Sequence, residues 1–451
     1  MDLNLRRWTI FLFFLALAGA AVAGPGAVPA TAMSGHMTPP LLPAPPDSGS
    51  AGKPAEFQPG NWDSVLAAYD SSIKPDRHVH LSPEYDLHYS KAEGVHVEGG
   101  FSAADPPVHL SHLEGRFGYD LGRGRPTALG FVLLPIDGQE KLSLELAGHD
   151  EAVAFGNDQP YGNTVMALFD GYDTRQYMRE RELRAMLIWN ITTDRQLGGG
   201  WVRVRQDPLP VAARWHLFGA DHWMDHNEAA QHLVGNGIRL RFLRRPPYQG
   251  ETVKTGLVAK VEATTFGGGV LGGGQEFSTG QADVWYTAPV RQKDAWHLRA
   301  SASISAGRAP RQAWQDLGGA AGLKAFPPRG FGTPDTLIGL ARFFVRAEYQ
   351  HPQDLLFGLR LPLVGPVKAI MVPFAEVGSA WGGRPLHQFL TWGDLDFPGR
   401  RDLRWDLGFG LRRDIDFAGL LSHAQLDFAW PMGAQRGPAR ITLLLSRNWL
   451  D

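Results

Sequence analysis

The chain has no cysteine among its 451 residues. That excludes a disulfide framework, thiolate metal sites, a cysteine nucleophile and the lipid-modified cysteine of a lipoprotein anchor. It also has no basic excess, with a formal net charge of −2, so nucleic acid is not an expected partner. Beyond its N-terminus it has no apolar run approaching the roughly 20 residues of a membrane-spanning helix. If it spans a membrane it must do so with strands closed into a barrel, which leave no backbone group unpaired in lipid. Signatures of common enzymes are missing too. No Gly-x-Ser-x-Gly elbow occurs, and the glycines of Gly267–Gly274 are not followed by the Lys-Ser/Thr of a phosphate-binding loop, so they read as a flexible turn.

What is present begins with a leader. Arg6 and Arg7 precede an apolar stretch from Trp8 to Ala20, and Ala21-Val22-Ala23 is a small-residue cleavage site. Residues 1–23 therefore read as a secretory signal peptide. Residues 24–60 are rich in Pro and Ala, as in Pro43-Ala44-Pro45-Pro46, and are expected to be a disordered linker. Residues 61–84 form a short segment, with room for one helix over Asn61–Ser72 that shows Trp62, Val65, Leu66 and Tyr69 on one face.

Beyond residue 90 the pattern turns to period two. In Leu337–Tyr349 the odd positions are apolar or Gly, while even positions carry Arg342, Arg346 and Glu348. Trp405, Leu407, Phe409 and Leu411 alternate with Arg404, Asp406 and Arg412. Trp296, Leu298 and Ala300 alternate with His297, Arg299 and Ser301, and Leu426, Phe428 and Trp430 with Gln425 and Asp427. One apolar and one polar face marks a half-buried strand. Many of these segments exceed ten residues, longer than the usual 5–6 of soluble strands and close to the roughly 9–11 of tilted membrane strands. Aromatics near strand ends, at Tyr349, Trp381, Trp430 and Trp449, suit interfacial girdles. Sixteen candidate strands can be counted between 95 and 449, including one at 214–220, with twelve or fourteen as alternatives. The fold class expected is all-β, an antiparallel transmembrane β-barrel over residues 85–451, with its apolar face in lipid. A charge at Leu407 should then be far more damaging than one at Asp406.

Four stretches resemble the barrel of the outer-membrane assembly factors, the BamA/TamA type of bacterial surface antigen. Tyr89-Ser90-Lys91-Ala92-Glu93-Gly94-Val95 is similar to the entry to that family's first strand. Leu317-Gly318-Gly319 followed by Pro328-Arg329-Gly330-Phe331 resembles its arginine-glycine-aromatic loop. Pro373–Trp381 resembles the strand that carries an acidic residue facing that loop, with Glu376 where the family usually has aspartate. Gly408–Arg412 and Leu426–Pro431 resemble the two strands after it. The resemblance implies that the loop folds into the lumen and that Arg329, with Gly330 and Phe331, forms a lock against Glu376. On the parity of its strand Glu376 faces inward with Lys368, as do the apolar Ile370, Val372 and Phe374. A guanidinium can grip a carboxylate with two bonds. An ordinary Pro-Gly turn with an exposed arginine is the alternative for 328–331.

The family's periplasmic POTRA domains need roughly 75 residues each, a size at which a core is already marginal. The 61 residues from Gly24 to Glu84 are too few, so the chain is expected to lack POTRA domains. The resemblance implies residence in the bacterial outer membrane and a part in envelope biogenesis, by insertion of protein or lipid. Its partners would be outer-membrane lipid and lipopolysaccharide, and periplasmic or envelope-assembly proteins. No enzyme, cofactor, catalytic or metal site is expected. Two other functions stay open. One is a passive channel whose anion preference is set by Arg342, Arg346, Arg404 and Arg412. The other is a soluble secreted β-rich enzyme using a metal at His222 and His226, which are four apart in Asp221–His232. That stretch lacks the glutamate a zincin requires after the first histidine, and reads equally as a polar loop. The charged run from Asp170 to Glu182 reads as a solvated loop or strand end, with a lumenal helix as alternative.

Overall fold

The computed structural model describes residues 80–446 apart from 105–111, 138–140, 156–166, 168–172, 174, 214, 219–226, 245–255, 268–270, 273–274, 291–293, 320–321, 328–336, 355–359, 362–364, 367–368, 383–397, 400–401, 418–420 and 434–436. The expected leader, linker and 61–72 helix, His222, His226, Arg329, Gly330, Phe331 and Trp449 lie outside the described residues.

Sixteen strands make one antiparallel sheet in strict chain order. They are β1 (His80–Ser90), β2 (Gly94–Ala104), β3 (His112–Asp120), β4 (Arg125–Pro135), β5 (Leu142–Phe155), β6 (Gln176–Thr192), β7 (Arg195–Pro208) and β8 (Leu233–Arg244). Then come β9 (Gly256–Phe266), β10 (Phe277–Pro289), β11 (Ala295–Gly307), β12 (Ala341–Asp354), β13 (Ile370–Trp381), β14 (Arg404–Phe417), β15 (Leu421–Met432) and β16 (Arg440–Ser446). No described helix is long and apolar enough to cross a membrane. This is the large all-β barrel that the alternation predicts.

The number agrees with the sequence, but one strand does not. Residues 215–218 of the expected 214–220 strand are irregular, while His80–Ser90 is a strand that the sequence reading passed over. The barrel thus starts at His80 rather than Tyr85. The stretch Tyr89–Val95 is the first hairpin, with a turn at Lys91–Glu93, rather than the start of a first strand. Gly94 has φ +73°, which favours glycine where the chain leaves that turn. The charged run ends in β6, and its Asp173 is wholly buried rather than solvated.

The two faces of the wall follow the alternation. On β14, Trp405 and Leu407 are each 40% exposed and look outward, whereas Asp406 between them is inaccessible. Phe117, Leu183, Leu187, Trp189 and Ile238 continue the outward apolar surface on other strands. The inner face is held by charge. Glu145 of β5 receives Arg184 at 2.8 Å and Arg241 at 2.6 Å. Glu182 of β6 receives Arg184 at 3.0 Å and Arg239 at 2.8 Å. Buried charges tolerate a low-dielectric interior only when paired in this way.

Alternate turns fall at the same end of the wall. The end that carries the first hairpin turn also carries the long connections after β5, β7, β11 and β13. The ladder runs unbroken from β1 to β16, and among the described residues no pairing joins β16 back to β1.

Candidate functional site

The connection between β11 and β12 folds inward and fills part of the lumen. It opens with a short 3-10 turn at Arg311–Ala313. Gln315-Asp316 then pairs with Ile338-Gly339. Between them the chain coils tightly: Leu323 N–H donates to Leu317 O at 2.8 Å and Gly319 N–H to Phe326 O at 3.0 Å. Glycine is required here. A Cβ on Gly318 would stand 2.0 Å from Pro327 O, and one on Gly322 2.0 Å from Leu317 O. Leu317, Leu323, Ala325, Phe326 and Leu337 pack on Phe344, Phe374, Ala380 and Ala429 of the wall. Phe374, which looked misplaced on an inward face, is thus covered by the plug rather than by water.

The tip of the plug is locked to four strands by charge. Lys324 is 1% exposed, and its backbone N–H donates to Glu376 Oε2 at 2.8 Å. Its ammonium reaches Asp427 of β15 at 3.1 Å and Glu348 of β12 at 3.4 Å, and lies 4.1 Å over the Phe374 ring. The next amide, Ala325 N–H, donates to Asp406 Oδ2 of β14 at 2.8 Å. Arg346 donates to Glu376 Oε1 and, at 2.8 Å, to Gly322 O. Arg412 binds Glu348 at 2.5 Å, and Arg342 donates to Asp316 O at 2.7 Å. Backbone amides and side-chain cations therefore share the four carboxylates, which makes burying Glu376, Glu348 and Asp427 tolerable, while Asp406 keeps its Oδ1 buried without a hydrogen-bond partner.

Glu376 is where the sequence put it, inward and buried. The described residues supply both of its oxygens with donors, from Arg346 and from the Lys324 amide. Arg329, Gly330 and Phe331 lie outside the described residues. The buried cation at the lock is Lys324, which the sequence reading passed over. The expectation that a charge at Asp406 would be cheap is overturned, because Asp406 is wholly buried and holds Ala325.

The same end of the barrel has a second set of latches. Lys91 in the first hairpin turn is inaccessible; its N–H donates to Asp173 Oδ2 at 2.8 Å and its ammonium to Asp173 O at 3.1 Å. Burial pushes the Lys91 ammonium down to about 8 against the opposing pull of Asp173. In the stretch read as a metal candidate, Asn227 instead clamps the Tyr177 backbone, accepting from its N–H at 2.7 Å and donating to its O at 2.8 Å. His232 lies 2.7 Å from Asp207 Oδ1 and is exposed.

Sixteen strands in chain order, five of them after an inward-folded connection, and an acidic residue of the second of those five fixing the plug together define a particular kind of barrel. BamA from Haemophilus ducreyi lacking POTRA domains 1–3 superposes with a TM-score of 0.53 at 11% identity, over 85% of this chain and 78% of that one. The fold is that of a BamA-like barrel. CdiB from Escherichia coli (14% identity, TM-score 0.43, 80% of this chain and 61% of that one) and CdiB from Acinetobacter baumannii (12%, 0.39, 81% and 65%) are also similar. No protein-family model matches the sequence, and neither does any curated protein.

Proposed function

We propose that the protein resides in the bacterial outer membrane and works there in envelope biogenesis, assisting the insertion of protein or lipid, without enzymatic chemistry of its own. The observation that carries this reading is the plug. Arg342, Arg346 and Arg412, three of the four arginines that a selective anion pore would present to solute, are instead engaged by the plug and by wall carboxylates, while Arg404 donates to Leu403 O. A lumen partly filled and neutralised in this way favours a structural role for the interior over passive permeation. The seam supports the same reading. Strand edges left unpaired in lipid are costly, so the boundary between β1 and β16 is where the wall would open or thin the adjacent bilayer. Lipid and lipopolysaccharide are the partners on the outer face, and periplasmic assembly proteins those at the short-turn end.

The test is reconstitution into lipid vesicles with a small urea-unfolded outer-membrane barrel as the probe, its folding read by heat-modifiable gel mobility. A parallel arm follows transbilayer movement of a fluorescent lipid. Faster folding or lipid movement than in empty vesicles is expected. Unchanged rates in both arms, with porin-like conductance in planar bilayers, would replace this reading with a passive channel.

A further inference from the structure

The first hairpin carries a cluster that the plug does not use. His88 of β1, His96 of β2 and Asp120 of β3 stand directly opposite one another across three adjacent strands, His88 on His96 and His96 on Asp120. Glu93, in the turn joining β1 to β2, folds back onto them. Glu93, His96 and Asp120 are all buried, and one donor atom from each lies within 4.8 Å of the others. His96 Nδ1 is 2.7 Å from Asp120 Oδ1 and 3.7 Å from Glu93 Oε1, while His88 Nε2 is 2.8 Å from Glu93 Oε2.

We propose that His88, Glu93, His96 and Asp120 bind a divalent cation of the zinc class, which fastens β1 to β2 and, through β2, to β3. A tetrahedral zinc with bonds of about 2.0–2.2 Å holds its ligand atoms roughly 3.3–3.5 Å apart. Ligand atoms of Glu93, His96 and Asp120 already lie within 4.8 Å of one another and His88 Nε2 is 2.8 Å from Glu93 Oε2, so the cation would replace the protons now shared between these atoms. Mixed imidazole and carboxylate donors suit zinc, where an all-oxygen set would suit calcium or magnesium.

The surroundings match a metal site in three further respects. His88 turns its other nitrogen, Nδ1, to Asp86 Oδ2 at 2.6 Å, the arrangement that orients a ligating imidazole. Ser90 Oγ donates to Glu93 Oε2 at 2.9 Å and fixes that carboxylate. Thr127 is 3% exposed, and its Oγ1 is buried with no hydrogen-bond partner. That oxygen lies 2.4 Å from the position a Cβ on Gly118 would take, and His96 Nε2 lies 2.9 Å from the same point. The missing side chain of Gly118 thus leaves space shared by the imidazole and an unsatisfied hydroxyl. Charge points the same way. Asp86, Glu93, Glu98 and Asp120 converge here, and Arg116, 2.9 Å from Glu98, is the ion-paired arginine among them. Once both imidazoles are neutral, as ligation requires, these carboxylates outnumber the arginine, and a bound dication offsets the difference.

The experiment uses the full-length barrel in detergent, stripped with a chelator and dialysed, then titrated with zinc by calorimetry and metal analysis. Cobalt(II) substitution reports geometry through its visible d–d bands. One zinc per chain is expected in the wild type and in His222→Ala/His226→Ala. None is expected in His88→Gln/His96→Gln, with heat-modifiable mobility confirming that the variant is folded. Should the double variant fail to fold, Asp86→Asn acts through His88 and should weaken zinc binding about 10- to 100-fold. Absence of zinc binding by the wild type would overturn the proposal. So would binding lost in the His222/His226 variant, or affinity unchanged by Asp86→Asn.

Discussion

Lys324 binds Glu376 through its backbone and not through its charge: the amide nitrogen is 2.8 Å from Oε2, while the ammonium passes on to Asp427 at 3.1 Å. The lock therefore has two separable parts, a main-chain part that fixes the plug's path and a side-chain part that neutralises the far wall.

That division predicts an uneven response to mutation. Lys324→Met keeps the amide but takes the ammonium from Asp427, while Glu348 keeps Arg412, and should destabilise the barrel by about 3–5 kcal/mol. Asp427→Asn alone should also be destabilising. The two together should cost less than their sum, since the pair then loses one shared interaction. Urea titration of heat-modifiable mobility measures the cycle; strictly additive costs would show that the ammonium is not engaged.

Charge on the outward face should be poorly tolerated. Leu407→Arg is expected to cost roughly 2–4 kcal/mol if it lies near midplane depth. The control is Gln281→Arg on β10, an exposed residue on the polar face, cross-strand from Glu262 and bonded to Asp283 at 2.5 Å. It should be nearly silent. Equal losses at the two sites, read by urea midpoint, would mean that the faces are reversed.

Closure of the lumen can be tested by enlarging the plug where it has no room. A Cβ at Gly322 meets Leu317 O at 2.0 Å, so Gly322→Ala must displace the coil that carries Lys324. Planar bilayer recordings should show small, infrequent openings for the wild type and larger, more frequent ones for the variant. Identical traces would place the conduction path away from the plug.

Asn227 is expected to hold down the connection between β7 and β8. Its amide engages Tyr177 N–H, Tyr177 O and Leu209 O. Asn227→Ala should leave the barrel folded but speed proteolytic cleavage between residues 209 and 232 several-fold. An unchanged cleavage rate would show that other contacts restrain this connection.

Most of the wall was legible because alternation is a local signal, and in a barrel nothing local contradicts it. The strand β1 escaped notice although Leu81, Pro83, Tyr85, Leu87 and Tyr89 alternate with polar residues, because Pro83 argues against a strand. Pro83 is tolerated because β1 pairs on one side alone among the described residues. Residues 214–220 misled in the opposite sense. Trp215, Leu217 and Phe218 supply apolarity, but residues 215–218 are irregular, and Trp215 O accepts the Tyr89 hydroxyl. Glu376 was legible through resemblance and strand parity. Lys324 was not, since its partners come from three strands distant in sequence and its own neighbourhood has no period. The His88–His96 pair was hidden for the same reason as β1, because two histidines eight positions apart meet only once the turn between them is known.

The plug also constrains the order in which this chain can be assembled. Ala325 waits for Asp406, which lies 81 residues further along, and Lys324 for Asp427 on the last strand but one. A coil of this size cannot be threaded into a finished wall, so β12 to β15 must be laid down around it. Until they are, Leu317, Leu323 and Phe326 have no cover, and a chain interrupted before β15 presents an aggregation-prone intermediate.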